Sequence, residues 1–179
     1  ELERRVQREN ELERTLEATT DGIWSWNFLT DTLYFSPQYY RMLGYEPHAF
    51  SSTFESWTRL IHPEDRDSAL SVARTYLETK PDRYENTFRL KTRSGAYRWV
   101  RATARVVERG ENGEAVLLIG SHQDVTGARE REDAIQRTNA LLEGVLDGLQ
   151  DIVGIQKPDH TMIRYNRAGY EALGMSPEE

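Results

Sequence analysis

Gly120-Ser121-His122-Gln123-Asp124-Val125-Thr126-Gly127-Ala128-Arg129-Glu130-Arg131 joins an apolar strand directly to a charged helix. Upstream, Ala115 to Ile119 is a short apolar run suited to a buried strand, and downstream Arg129 to Gly144 has helical spacing and no proline. Thr126 is placed to cap that helix, its hydroxyl accepting one of the first free backbone N–H groups. A strand wired to an exposed helix suits a device that passes on a structural change.

Upstream of this joint lie two strands with clear alternation. Phe88 and Leu90 alternate with Thr87, Arg89 and Lys91 over Asn86 to Lys91, and Val100, Ala102, Ala104 and Val106 alternate with Trp99, Arg101, Thr103 and Arg105 over Trp99 to Val106. Turns at Ser94-Gly95 and Glu111-Asn112-Gly113 connect these two and the strand Val116 to Gln123 into an antiparallel meander. In the last strand Leu118, Gly120 and His122 form the inner set, which leaves Leu117 and Ile119 facing outwards near Trp99. An apolar outer patch needs cover, from flanking helices or a second subunit.

The earlier chain supplies the other elements. Glu1 to Thr20 is rich in Glu and Arg and free of Gly and Pro, which predicts a helix with Leu12 and Leu16 on one apolar stripe. Two readings stand for it: a solvated helix docked on its own domain, or a dimer-forming linker. Ile23 to Asn27 and Thr32 to Phe35 form a hairpin around Leu29 to Asp31. Ser36-Pro37 then starts a short helix stopped at Gly44, and a further turn covers Ser56 to Ile61. Pro63 opens the longest internal helix, which runs to about Thr79 and ends at Pro81.

Downstream of the joint, Val125, Ala128, Glu132, Ile135, Asn139, Leu142, Leu146 and Leu149 follow the alternating three and four spacing of a coiled-coil seam. A paired helix is preferred to a single amphipathic helix lying on its own sheet. The chain then repeats itself. Aligned without gaps, Leu16 falls on Leu146, Asp21 on Asp151, Tyr40 on Tyr170, Leu43 on Leu173, Gly44 on Gly174 and Pro47 on Pro177. The expected organisation is a linker helix at 1–20, a domain at 21–126, a coiled-coil-like signalling helix at 127–149, and the opening of a second copy at 150–179.

Composition narrows the function. With 179 residues the chain has room for one full domain, and its net charge of −7 argues against a nucleic-acid surface. It contains no cysteine, which excludes disulfides, thiolate catalysis and zinc sites built on sulfur. No apolar run approaches the roughly 20 residues that span a bilayer. The fragment is therefore expected in the cytoplasm without membrane contact of its own, although a parent protein could carry an anchor. The absence of an initiator Met suggests a piece of a longer chain.

Asp-Gly-Ile-Trp-Ser-Trp, Phe-Ser-Pro with Met-Leu-Gly-Tyr, Ile-His-Pro-Glu-Asp-Arg, Arg-Ser-Gly-Ala-Tyr-Arg-Trp-Val and Gly-Ser-His-Gln-Asp-Val-Thr, in this order, resemble a PAS sensory domain with its C-terminal Asp-Val-Thr motif. The resemblance covers Asp21 to Thr126 in full and Asp151 onward in part. It implies an α+β fold: a five-stranded antiparallel sheet with helices over one face, flanked by linker helices. It further implies a small-molecule pocket and a signalling role within a larger receptor, such as a histidine kinase or a cyclic-di-GMP enzyme. The expected partners are a second copy, through the flanking helices and the outer sheet face, and adjacent PAS and output domains. The alternative is a ligand-free dimerisation spacer between repeats.

By the same resemblance the pocket candidates are Trp24, Trp26, Phe35, Tyr40, Phe88, Leu90, Val100, Ala102, Leu118 and His122. Light-sensing relatives hold flavin with two Asn on the meander and a Gln on the last strand. Here Leu90, Val100 and His122 stand at those places and the reactive cysteine is absent, so cysteinyl-flavin photochemistry is excluded. Haem, a differently held flavin or a small metabolite stay open. A pocket filled by its own two indoles is preferred to one that stacks an aromatic ligand. His122 is expected to hydrogen-bond a backbone carbonyl, the lesser alternative being that it orients a ligand or coordinates haem iron.

A hydrolytic set of His62, Glu64 and Asp65 is crowded into one helix start and lacks a strand-turn nucleophile, so no catalytic residue or metal site is assigned. Those carboxylates suit the helix dipole. Asp124 and Thr126 are the expected signal relay, with Asp124 paired to a basic residue of the linker helices. Trp99, Leu117, Ile119, Ile135, Asn139, Leu142 and Leu146 are the expected dimer and linker residues together with Leu12 and Leu16.

Overall fold

A computed structural model describes residues 20–79 and 83–176. The expected helix at 1–20, with Leu12 and Leu16, and the stop at Pro81 lie outside the described residues. The chain divides between Gly127 and Ala128 into two compact units.

In the first unit the elements run β1 (Gly22–Asn27), β2 (Thr32–Phe35), α1 (Pro37–Met42), α2 (Phe54–Leu60), α3 (Pro63–Thr79), β3 (Tyr84–Lys91), β4 (Tyr97–Arg109) and β5 (Ala115–Asp124). They build one five-stranded sheet in the order β2-β1-β5-β4-β3, with each neighbouring pair antiparallel. The expected meander is present. The β1–β2 hairpin adds to its free side through β5, so the first and last strands of the domain lie side by side.

Alternation sets which face is buried. Phe88, Leu90, Val100, Ala102, Ala104 and Leu118 form the core with Phe35, Tyr39, Tyr40, Leu43 and Ile61. α1 begins where Ser36 caps it: Ser36 Oγ accepts the N–H groups of Tyr39 and Ile23, tying the helix start to β1. Gly44 ends that turn at φ +78, a conformation glycine adopts without strain. Gly22 faces Tyr39 so closely that an added Cβ would sit 2.7 Å from the Tyr39 Cα.

The N-terminal end of α3 is pinned to β3. Asp65 Oδ2 accepts the backbone N–H of Arg89 at 2.9 Å and its Nε–H at 2.8 Å, and Arg89 Nη2 also reaches Glu64. The acidic first turn therefore does more than complement the helix dipole; it clamps the guanidinium, which lies 5.2 Å from the centre of the Trp99 ring. His62 belongs to the same helix start, its Nδ1 accepting the Glu64 N–H.

The second unit contains most of α4 (Thr126–Gly148), then β6 (Gly154–Gln156), β7 (Met162–Tyr165) and α5 (Arg167–Leu173). Its hairpin and helix repeat the bonding of the first unit's opening. Asn166 stands where Ser36 does: it donates its N–H to the Val153 carbonyl as Ser36 does to Ile23, and its Oδ1 accepts from Val153 and Gly169. Asn166 Nδ2 further donates to the carbonyls of Leu146 and Asp151, so the buried amide is satisfied on both sides. Gly174 closes α5 at φ +67, as Gly44 closes α1.

Candidate functional site

Between the inner sheet face and α2 and α3 lies a small cleft with a volume of about 60 Å³, part of it open to solvent. β1 and β2 supply Trp24, Trp26, Leu33 and Phe35 to its wall. Phe54 and Trp57 come from α2, Ala73 and Tyr76 from α3, and Tyr84, Leu118 and His122 from the sheet. No Lys, Arg, Asp or Glu is among them. The rings pack on one another, Trp26 against Phe54 at 5.3 Å and Phe54 against Trp57 at 5.3 Å.

Both indoles, Trp24 and Trp26, stand in the wall of this small space. Trp26 turns its Nε1–H outwards to Asp31 of the hairpin turn at 3.1 Å, which leaves the ring as a side wall. Of the expected pocket residues, Trp24, Trp26, Phe35, Leu118 and His122 line the cleft, while Tyr40, Phe88, Leu90, Val100 and Ala102 are buried elsewhere in the core. Leu90 and Val100 are fully buried, and at the α2–α3 junction Ile61 bridges to Leu90 while the His62 N–H donates to the Arg89 carbonyl. Tyr40 is turned away by its hydroxyl, which donates to the Phe50 carbonyl. The helical contributors Phe54, Trp57, Ala73 and Tyr76 were absent from the sequence expectation. Their spacing, Phe54 with Trp57 and Ala73 with Tyr76, was the available signal.

His122 is 3% exposed, ringed by Trp24, Tyr39 and Phe88 at 5.8, 5.1 and 5.6 Å between centroids. Its Nδ1 has no partner among the described residues, so the expected bond to a backbone carbonyl is not made there. Burial favours the uncharged ring and pulls its pKa down to about 3. Burial likewise pushes the Tyr39 hydroxyl well above its ordinary range.

Just beyond His122, the joint between β5 and α4 is cross-tied to β4. The Val125 N–H donates to the Trp99 carbonyl at 2.9 Å, and the Trp99 N–H donates to Thr126 Oγ1 at 2.9 Å. Thr126 is thus the first residue of α4, and its hydroxyl serves β4 instead of capping its own helix. The side-chain oxygen stands in for a carbonyl and extends the sheet ladder by one more bond. Asp124 occupies the other side, its Oδ1 accepting the Thr126 N–H at 3.0 Å and its Oδ2 accepting from Arg98 at 2.7 Å. Its partner is therefore a residue of β4, where the antiparallel register places Arg98 beside it, and not a linker-helix residue. Partial burial raises the Asp124 pKa, but the bonds from Thr126 and Arg98 outweigh it and hold the carboxyl below its usual range.

The register also separates residues expected together. Trp99 pairs with Arg89 beside the joint, whereas Ile119 lies opposite Arg105 and Leu117 opposite Glu108, at the far end of β4. Ile119 remains exposed on the outer face, and Leu117 is half-buried. Along α4, every residue from Gly127 to Val145 is exposed, with Ile135 at 58% and Leu142 at 55%; Asn139 is also exposed and Leu146 is half-buried.

Comparison with known proteins agrees with this architecture. A family model described as the PAS fold matches residues 32–122. A methyl sulfide methyltransferase-associated sensor of Methanosarcina acetivorans is 31% identical over 106 residues, 59% of this chain and 10% of that protein. A probable diguanylate cyclase, DgcE, of Escherichia coli is 27% identical over 76% of this chain and 12% of its own length. The chain thus spans about a tenth of the length of these relatives. Among solved structures, a sensory box histidine kinase/response regulator from Burkholderia thailandensis matches with a TM-score of 0.60 and 30% identity, covering 73% of this chain and 96% of that one. The N-terminal domain of a diguanylate cyclase with a PAS/PAC sensor from Marinobacter aquaeolei matches with a TM-score of 0.54 and 29% identity, covering 61% of this chain and 98% of that one.

Proposed function

We propose that this chain, which belongs to the PAS fold family, is a sensory and signal-relay module of a larger receptor, one that reports the state of its cleft through the helix after Asp124-Val125-Thr126. The observation that carries this reading is the double grip on the Trp99 peptide by Val125 and Thr126. Two physical routes lead from the cleft to it. One runs along β5 from His122 to Asp124. The other runs down α3 from Tyr76 to Asp65, whose clamp on Arg89 sits against Trp99. A sensor needs two arrangements with different ligand affinity, and the end of β4 at Trp99 offers one place for both routes to act.

A histidine kinase or a diguanylate cyclase is the output type that the relatives' names favour. Transmission would run through a pair of α4 helices from two copies, supported by the exposed stripe around Ile135 and Leu142. Residues 150–179 would open a second PAS copy, supported by the matched bonding of Ser36 and Asn166. The fragment itself would be regulatory and non-catalytic. No described helix is long and apolar enough to cross a membrane, and a cytoplasmic placement is our reading.

One relative is named a blue-light-activated histidine kinase. The residues here do not fit the flavin arrangement of light-sensing PAS domains: Leu90 and Val100 are apolar, fully buried and do not line the cleft, and the chain has no cysteine. The test of the relay is hydrogen exchange at Glu130 to Asp133 in α4, with self-association followed in parallel. Thr126→Val, which leaves the cleft untouched, should alter that exchange; unaltered exchange contradicts the relay.

A further inference from the structure

The last turn of α4 and the start of α5 cap one another. A helix leaves the carbonyls of its final turn and the N–H groups of its first turn without partners of its own. Asn166, the residue before α5, donates from Nδ2 to the carbonyl of Leu146 in the last turn of α4 at 2.9 Å. Asp147, in the same turn of α4, accepts the backbone N–H of Arg167, the first residue of α5, at 3.0 Å. Glu143 and Asp147, four apart on one face of α4, also hold Arg164 of β7, at 3.0 and 3.9 Å.

Asn166 is 2% exposed and uses both amide hydrogens and both acceptor sites of its side chain. Besides the bond to Leu146, Nδ2 donates to the Asp151 carbonyl, and Oδ1 accepts the N–H groups of Val153, just before β6, and Gly169 in α5. Ser36, at the matching place in the first unit, makes the acceptor half of this set: its Oγ accepts from Ile23 and Tyr39. A hydroxyl has one hydrogen and cannot serve two carbonyls at once. The asparagine thus adds to a shared cap a grip on the helix that precedes it. Extending the relay reading, on which this inference rests, we propose that Asn166 is the receiving joint of the second unit, the residue through which a change in α4 enters β6 and α5. Thr126 ties the start of α4 to β4, and Asn166 takes its end into the next hairpin.

The test is a double-mutant cycle on the 179-residue chain, read by hydrogen exchange at Lys157 and Tyr170. Their N–H groups bond to the backbone carbonyls of Thr161 and Asn166, acceptors that every variant keeps. Gly144→Ala favours the helical state near the end of α4, and its added Cβ meets no neighbouring group within 4 Å. In the parent chain it should slow exchange at both amides about two- to fivefold. In Asn166→Ser, which keeps the first unit's form of cap and loses the hold on Leu146, Gly144→Ala should leave both amides unchanged. Asn166→Asp, which retains an acceptor and removes both amide hydrogens, should uncouple them likewise, so the result does not hang on the folding of one variant. Gly144→Ala acting equally in all three backgrounds overturns the proposal. Complete loss of protection at Lys157 and Tyr170 in both Asn166 variants also overturns it, since Asn166 would then be a structural tie only.

Thr126→Val, measured alongside, separates this inference from the relay. Unaltered exchange at Glu130 to Asp133, with the Gly144–Asn166 coupling present, contradicts the relay and leaves the receiving joint standing. Altered exchange there, with Gly144 and Asn166 strictly additive, overturns the receiving joint and leaves the relay standing.

Discussion

The backbone N–H of Trp99 in β4 donates to the side-chain oxygen of Thr126, the first residue of α4, at 2.9 Å. This bond makes the start of the exposed helix a continuation of the sheet. Replacing Thr126 with Val keeps the shape and removes the acceptor, stranding a partly buried N–H. The expected cost is about 1–3 kcal/mol in urea unfolding, with Thr126→Ser close to the parent protein. Equal stability of the Val and Ser variants would show that the bond does not contribute.

His122 makes stability depend on pH below neutrality. Its folded pKa is about 3, while an unfolded histidine titrates near 6.5. The unfolded chain therefore binds a proton that the folded one refuses. The stability due to the neutral ring is fully present above about pH 6.5 and is lost as pH falls toward the folded value, by at most about 1.4 kcal/mol per pH unit for this one proton. Unfolding midpoints across pH 7 to 4 should show the slope, and His122→Phe should flatten it. An NMR titration in which the His122 ring protonates near pH 6 in the folded chain would contradict the account.

Much of the fold was legible because alternation and turn residues carry it. Phe88 and Leu90 against Thr87 and Arg89, with Ser94-Gly95 and Asn112-Gly113 as turns, predict the meander without tertiary knowledge. The matching bonding of Ser36 and Asn166 likewise follows a repeat visible in the chain. Register is less legible: whether Trp99 faces Ile119 or Arg89 depends on pairing between strands, and one chain in isolation does not display it. Thr126 was identified as the joint but assigned the wrong acceptor role, because local capping rules do not include the N–H that Trp99 of a neighbouring strand donates. The cleft was half legible, its sheet wall by alternation. Its helical wall, Phe54 with Trp57 and Ala73 with Tyr76, depends on how α2 and α3 lie over the sheet.

Gly120 should tolerate no side chain. An added Cβ would sit 2.5 Å from the Thr103 carbonyl oxygen and 2.5 Å from the Trp24 ring. The strand cannot yield the carbonyl without breaking its ladder, so Gly120→Ala should cost about 1–3 kcal/mol and displace Trp24 into the cleft. Chemical denaturation measures the first effect and indole fluorescence the second. An unchanged midpoint would show that β5 relaxes freely there.

The α4 stripe carries the pairing proposal. Ile135→Glu combined with Leu142→Glu should abolish self-association in analytical ultracentrifugation. Both sites are exposed in the single chain, so the unfolding free energy of the first unit should move by no more than about 0.5 kcal/mol. Undiminished association in the double variant would assign the contact to another surface, such as the outer sheet face at Ile119.

The most direct measurement of the relay is a double-mutant cycle on Gly120→Ala and Thr126→Val, read as hydrogen-exchange protection of Glu130 to Asp133, the first amides that bond back within α4. If the sheet drives the helix through the Trp99–Thr126 bond, the change that Gly120→Ala produces in α4 disappears once Thr126 is Val, giving a coupling of about 0.5 kcal/mol or more. Strict additivity, with Gly120→Ala acting equally in both backgrounds or not at all, would contradict the relay.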